Sequence, residues 1–286
     1  MFTAKIENSS GDMLTLTGNE PVYQVIKITG LNPPQAQINT TSIVGLDGAR
    51  FNSAKLNTRN IVLTVKINGD VEANRLNLYR YFRTKEPCTF YYANDTLDVT
   101  INGYVENVEC DLFTNNELAQ ISILCPYPYF KSISQVIADS SNVLGLFVFP
   151  FSINATDPIA FSSLQTSVDI EVYNASESET GATIEINVLD SVSAIQLNNV
   201  VTGDTFSLSY NFIAGDKIVI NTNKGQKSIT LIRNGVLTNI FSALQQGSTF
   251  FQLVAGVNLF EYTANGVVAS DDISILFRYY NEYRGV

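Results

Sequence analysis

Residues 121–132 read ISILCPYPYFKS. An apolar, strand-like run ends on Cys125, and Pro126 and Pro128 flank Tyr127 ahead of Tyr129 and Phe130. Proline brings no N–H to a sheet ladder and biases the residue before it to extended backbone, so these two residues stop the strand and stiffen its exit. Three rings placed at once on that exit admit three readings: an aromatic ligand platform, an unpaired reactive thiol, or a joint between two domains. A joint here fits a 286-residue chain, which is long enough for two ordinary domains.

The composition narrows the choice. At 45% hydrophobic and 15% charged residues the chain is globular, not disordered. Its formal charge of −10 is uneven, with 10 basic and 13 acidic groups in residues 1–130 against 7 and 14 in residues 131–286. Neither half has the basic patch that phosphate neutralisation requires, so specific nucleic-acid binding is not expected. The opening MFTAKIENSSGDML lacks the apolar centre of a signal peptide, and cytoplasmic synthesis is expected. Val143–Ile153 is the most apolar run, but it is interrupted by Pro150 and falls well short of the ~20 residues of a membrane-spanning helix. It reads as a buried strand, with no membrane insertion.

Two absences limit the chemistry further. The chain has no histidine and no tryptophan. Without histidine there is no Ser-His or Cys-His nucleophile pair and no histidine-ligated metal. Cys88, Cys110 and Cys125 have neither an even count nor C-x-x-C spacing, and read as small buried side chains. The carboxylate groupings Asp95 with Asp98, Asp111 with Glu117, and Asp271 with Asp272 read as solvated turns in preference to a weak calcium site. No catalytic, metal or cofactor-binding residue is assigned, and no cofactor is expected.

Period-two alternation dominates the remainder. Strands are predicted at Val22–Thr29, Ile61–Ile67, Cys88–Tyr92, Leu97–Val105, Val108–Phe113 and Leu118–Cys125, with Ile61, Leu63, Val65 and Ile67 on one face. DVEANRLNLYRYFRTKEP predicts the single helix, capped by Asp70, ending past Arg83 and Lys85, and packing Leu76, Tyr79 and Phe82 on the sheet. Leu31–Arg59 has little periodicity around an apolar-glycine knot of Ile43, Val44, Gly45, Leu46, Asp47 and Gly48, followed by Arg50. A structureless connection of that length is uncommon within a domain, so it reads as an arm reaching another subunit or as a surface loop.

The second half predicts strands at Val168–Tyr173, Ala182–Leu189, Thr205–Phe212, Lys217–Asn221, Lys227–Arg233, Thr249–Val254, Leu259–Thr263 and Ile273–Tyr280. Asn234-Gly235 and Asn265-Gly266 mark tight hairpins. Strands at this spacing without helices predict a jelly-roll β-sandwich. The aromatic segment YYNEYRGV (279–286) reads as a subunit or domain contact, since Tyr and Arg are enriched at interfaces.

In order along the chain, several short features resemble the distal tail proteins of siphophages that infect Gram-positive bacteria. They are the knot at Gly45–Gly48, Arg59 ahead of its strand, the helix around Leu76–Phe82, Cys125–Phe130, Phe149-Pro150-Phe151, GDKIVINT at 215–222, LVAGVN at 253–258, and the closing Tyr283-Arg284-Gly285-Val286. The resemblance implies a mainly β protein of two domains. Residues 1–130 would be a ring-forming belt domain, a tail-tube-like β-sandwich with one helix and an extended arm. Residues 131–286 would be an outer galectin-like β-sandwich. It further implies a virion protein at the distal end of the tail, six copies closing a ring around the DNA channel. The implied partners are the tail tube protein, the tape-measure protein, the tail-associated tip protein and a receptor-binding protein. Ile43 to Gly48 with Arg50 would then be the inter-subunit arm, and Pro126, Tyr127, Pro128, Tyr129 and Phe130 the inter-domain joint.

Two rival functions stand beside this structural hub. A carbohydrate-binding adhesin would need a face of stacked rings, although the chain lacks the His and Trp of the galectin sugar site, and a fold name does not confer sugar binding. A two-carboxylate cell-wall hydrolase has no motif in its favour.

Overall fold

The structure is a computed structural model, described at residues 2–45, 47–111, 117–145, 162–166, 169–268 and 270–286. The described chain is mainly β, with one α-helix, and divides into two compact units. The first is Met1–Ile133 together with Glu282–Val286, and the second is Ser134–Asn281. The expected division at residue 130 thus lies three residues before the structural one, and the closing segment is part of the first unit, not the second.

The first unit contains β1 (Thr3–Asn8), β2 (Met13–Leu16), β3 (Tyr23–Thr29), β4 (Ala36–Ser42), β5 (Ala49–Leu56), β6 (Arg59–Ile67), α1 (Val71–Tyr81), β7 (Pro87–Ala93), β8 (Asp98–Cys110), β9 (Leu118–Cys125) and β10 (Phe130–Ser132). One antiparallel sheet runs in the order β2-β1-β7-β8-β9-β6-β3. Its two outer strands meet at the bridge between Thr17 and Gln24, so the sheet curls around its own core. Alternation is the reason it can. Ile61, Leu63, Val65 and Ile67 of β6 all point inward as expected, facing Ile121 and Ile123 of β9 and Val99, Ile101 and Val105 of β8 in one cluster. The two strands predicted at Leu97–Val105 and Val108–Phe113 form the single β8 up to Cys110, its register shifting between Val105 and Asn107 against β9. Phe113 lies outside the described residues. A bulge lets a long strand bend and continue.

Asp70 caps α1 as predicted, its side chain accepting from the Ala73 N–H at 3.3 Å. The far end differs: α1 stops at Tyr81, short of Arg83 and Lys85. The Lys85 N–H turns away to bond the Val105 carbonyl at 2.9 Å, which draws the chain into β7. Phe82 is buried as expected, but its partner at helical spacing is Leu78, while Tyr79 is half-buried and Leu76 exposed.

The second unit contains β11 (Val136–Asp139), β12 (Ser141–Gly145), β13 (Ser162–Thr166), β14 (Asp169–Asn174), β15 (Thr183–Val188), β16 (Val192–Asn199), β17 (Thr205–Phe212), β18 (Lys217–Asn221), β19 (Ser228–Arg233), β20 (Val236–Asn239), β21 (Gly256–Ala264), β22 (Val267–Val268) and β23 (Ile273–Tyr279). A sheet β11-β23-β15-β18-β19-β20 faces a second, β14-β21-β16-β17, across one core that includes Ile186, Ile220, Phe206, Phe260 and Phe277. The hairpins at Asn234-Gly235 and Asn265-Gly266 form, and all four residues have positive φ. Thr249–Val254 is not a strand: only Leu253 bridges, to Thr180, and the segment's rings at Phe250 and Phe251 pack into the core from irregular backbone. Of the apolar run 143–153, residues up to Gly145 lie in β12, and 146–153, with the Phe149-Pro150-Phe151 motif, fall outside the described residues.

The last strand, β24 (Glu282–Tyr283), pairs with β10 in the first unit, Phe130 opposite Tyr283 and Lys131 opposite Glu282.

In the second unit Asp216 is buried beneath Arg233, whose Nε and Nη2 donate to its two oxygens at 2.8 and 2.6 Å. Those bonds, helped by the Ile213 N–H, hold the carboxyl below its ordinary value of 3.8. Removing the side chain leaves Arg233 without its charged partner. Asp216→Ala is expected to cost about 2 kcal/mol in urea unfolding near neutral pH. A carboxyl with a depressed native value contributes its stabilisation in full above the unfolded value. The gap between the two proteins should therefore close as pH falls below 3.8 through the native value.

Candidate assembly interface

Most of the segment from Leu31 to Thr58 is neither a loop nor part of the main sheet. β4 and β5 form a separate two-stranded hairpin, paired from Ala36 with Leu56 to Ser42 with Ala49. Every residue of β4, and all of β5 but Leu56, is exposed. The register sorts its side chains. Ala36, Ile38, Thr40 and Ser42 share a face with their partners Leu56, Ala54, Phe51 and Ala49. The other face is polar, with Asn39 Nδ2 donating to Ser53 Oγ at 3.0 Å and Asn52 Nδ2 to Thr41 Oγ1 at 2.6 Å. Ile38 and Phe51 are left 62% and 61% exposed among the described residues. An isolated hairpin is marginal in water unless its apolar face is covered. Burying these two side chains is worth about 1.5–3 kcal/mol each.

The knot predicted as the arm lies at the hairpin's tip. Ile43, Val44, Gly45, Asp47, Gly48 and Arg50 are all exposed, while Leu46 lies outside the described residues. The sequence located the tip and missed that its apolar surface continues down the strands, through Ile38 and Phe51.

At the hairpin's root lies a buried arginine. Arg59, 2% exposed, donates from Nε to the Pro128 carbonyl at 2.8 Å and from Nη1 to the Asn32 carbonyl at 2.7 Å. It also bonds the carbonyls of Gly30 and, from Nη2, Arg284. The guanidinium lies 4.5 Å from the centre of the Phe130 ring, a cation–π contact. Desolvation lowers its proton affinity. Gly30 is required there: its φ is +85°, and a Cβ would stand 2.1 Å from the Asn60 carbonyl oxygen.

On β24, which pairs with β10, Glu282 is a buried carboxylate. The Tyr127 hydroxyl is 2.9 and 2.7 Å from the two oxygens of Glu282, with Lys131 Nζ at 3.8 Å from the carboxylate and 5.2 Å from the centre of the Tyr127 ring. Burial, then the bond to Glu282, pushes the phenol of Tyr127 up.

Residues 126–130 therefore divide by role. Phe130 is core, Pro128 supplies a carbonyl to Arg59, Tyr127 binds Glu282, Tyr129 stacks obliquely on Tyr127 with centroids 5.3 Å apart, and Pro126 is exposed. No open aromatic platform is formed by these rings. Nor is Cys125 a reactive thiol: it is fully buried, and desolvation pushes it up to about 11, leaving almost no thiolate at neutral pH. Glu282 was not singled out by sequence, although a lone acidic residue between aromatics in YYNEYRGV was its signal.

Among the described residues no group of three or more His, Cys, Asp and Glu side chains could hold a metal ion, and no helix is long and apolar enough to cross a membrane. The interface has the chemistry of packing and hydrogen bonding.

Comparison with known proteins defines the class. Residues 19–125 match the phage tail protein RIFT-related domain, and residues 175–280 match the siphovirus-type tail component, C-terminal domain. The two matches are collinear and fall one in each unit, which makes this a structural component of a phage tail. The chain belongs to the siphophage distal tail protein family. A search of curated proteins gives no match. Among solved structures the fold is similar to phage SPP1 Dit (gp 19.1), described as a paradigm of the hub adsorption apparatus in phages infecting Gram-positive hosts, with TM-score 0.65, 16% identity and 99% of each chain covered. It is also similar to a chain of the phage P2 baseplate in its activated conformation with calcium, at TM-score 0.52, 12% identity and 100% coverage of both.

Tyr127→Phe keeps the ring and removes the hydroxyl that meets Glu282. The variant is expected to lose about 1.5–3 kcal/mol in urea unfolding. Amides of Lys131 and Tyr283 should exchange faster, with those of β6 and β9 unchanged.

Proposed function

We propose that this chain is a distal tail hub: six copies close a ring at the end of the tail tube, line the channel through which DNA passes, and connect the tube to the tip and the receptor-binding apparatus. The observation that carries the reading is the β4–β5 hairpin, an arm whose one apolar face is left exposed among the described residues. A face of this kind on one subunit and its receiving surface elsewhere on the next make a heterologous contact, which closes into a ring when the rotation is right. Every arm is then covered and none is left over.

The partners in this reading are further copies of the chain, the tail tube, tape-measure and tail-associated tip proteins, and a receptor-binding protein. The place is the virion, after synthesis in the host cytoplasm, and the role is structural and not enzymatic. An acidic chain of net charge −10 suits a channel that must not hold DNA. We assign the joint between the units to Pro126–Phe130, since the chain leaves the first unit three residues beyond Phe130.

Electron microscopy of the purified protein tests the reading, with six-fold rings as the expected result. A double variant, Ile38→Ser with Phe51→Ser, changes positions that are exposed in the single chain, so it should fold with the parent's circular dichroism spectrum while rings are lost at the same concentration. Rings that persist in the variant, or a strictly monomeric parent that binds cell-wall glycan, would overturn it.

A further inference from the structure

The root of the arm is the stretch Gly30–Gln35, and it has little to hold it in place by itself. Pro33 and Pro34 bring no N–H. Its three successive carbonyls at Gly30, Leu31 and Asn32 are all engaged from outside: Gly30 and Asn32 by Arg59, and Leu31 by the Val286 N–H at 3.1 Å. Arg59 in turn bonds the Arg284 carbonyl with its Nη2. Gly285 lies between these two contacts, and a Cβ there would stand 2.8 Å from Pro33 Cδ, 3.1 Å from Pro33 N and 3.3 Å from the Leu31 carbonyl oxygen. The closing segment thus meets the root directly at Gly285 and Val286, and at Arg284 through Arg59. An open cavity of about 200 Å³ between Asn32–Gln35 and Thr58–Asn60 leaves the root room to shift if that contact is lost.

From these contacts we propose that the first unit carries a groove for an extended strand, that Glu282–Val286 is its occupant, and that filling the groove fixes the root and hence the direction of the arm. Tyr127 and Lys131 seat the segment through Glu282, and Phe130 seats it through Tyr283 by strand pairing. Arg59 acts as the positioning residue, because its guanidinium bonds both the segment and the root. The reading of the arm as an assembly element supplies the purpose of this coupling, and the coupling itself is measurable in the unassembled protein.

Hydrogen exchange on the full chain tests it. The Asn57 N–H bonds the Gln35 carbonyl at 3.0 Å, so it reports on the root from the opposite strand. In Gly285→Ala the added methyl cannot be accommodated without moving Pro33, and the Asn57 and Val286 amides are expected to exchange at least tenfold faster, while amides of β6 paired to β9 stay at the parent rate. Arg59→Gln should reproduce the same pattern. If Arg59→Gln fails to fold, Gly285→Ala still decides, because it leaves the buried guanidinium in place. Unchanged exchange at Asn57 in Gly285→Ala, or faster exchange spread evenly over β6 and β9, would overturn the proposal. Neither result depends on ring formation, so a failure here is separable from a failure of the ring.

Discussion

A guanidinium taken out of water must have its donors matched, and at Arg59 they are matched by main-chain carbonyls, with the ring of Phe130 against its face. Backbone oxygens from four places in the sequence converge on one planar fork, which only arginine presents with that geometry. Each charge-assisted bond is worth about 1.5–3 kcal/mol, and loss of the cation would strand the carbonyls it serves. The exit of β9, the root of the arm and the closing segment are therefore held by one side chain. Lysine would keep the charge and lose the fork.

The two units solve burial differently. In the first, a single sheet curls until its outer strands meet, so one continuous sheet encloses the core and only one helix is needed to cover it. In the second, two antiparallel sheets face each other across a core rich in phenylalanine, including the close pair Phe260 and Phe277 with centroids 4.5 Å apart. Neither solution leaves a cleft of clustered polar chemistry among the described residues. What is left for function is surface, and on the first unit the most conspicuous apolar surface is the hairpin.

Much of the architecture could be read from residue patterns, for physical reasons that also explain the failures. β6 was plain because Ile61, Leu63, Val65 and Ile67 recur at every second position and every one is buried. The hairpin was obscure because its apolar face is made of Ala, Thr and Ser as much as of Ile38 and Phe51, and that face is left exposed among the described residues. Thr249–Val254 looked like a strand because its rings belong to the core, yet rings can be buried from irregular backbone. Arg59 could be noted as a motif residue, but a bond to a carbonyl 225 positions away leaves no local trace. The end of β9 at Cys125 was legible from Pro126 and Pro128, whereas the bonding of Tyr127 to Glu282 was not.

The order of the chain adds a consequence in time. Because β24 follows the whole of 134–281, a ribosome must make the second unit before it can make the strand that completes the first. At the usual pace of synthesis that delay is roughly ten to thirty seconds. During it the first unit waits with Arg59 short of one carbonyl and Phe130 short of its strand partner. A strand made after the second unit decides when the first unit is finished.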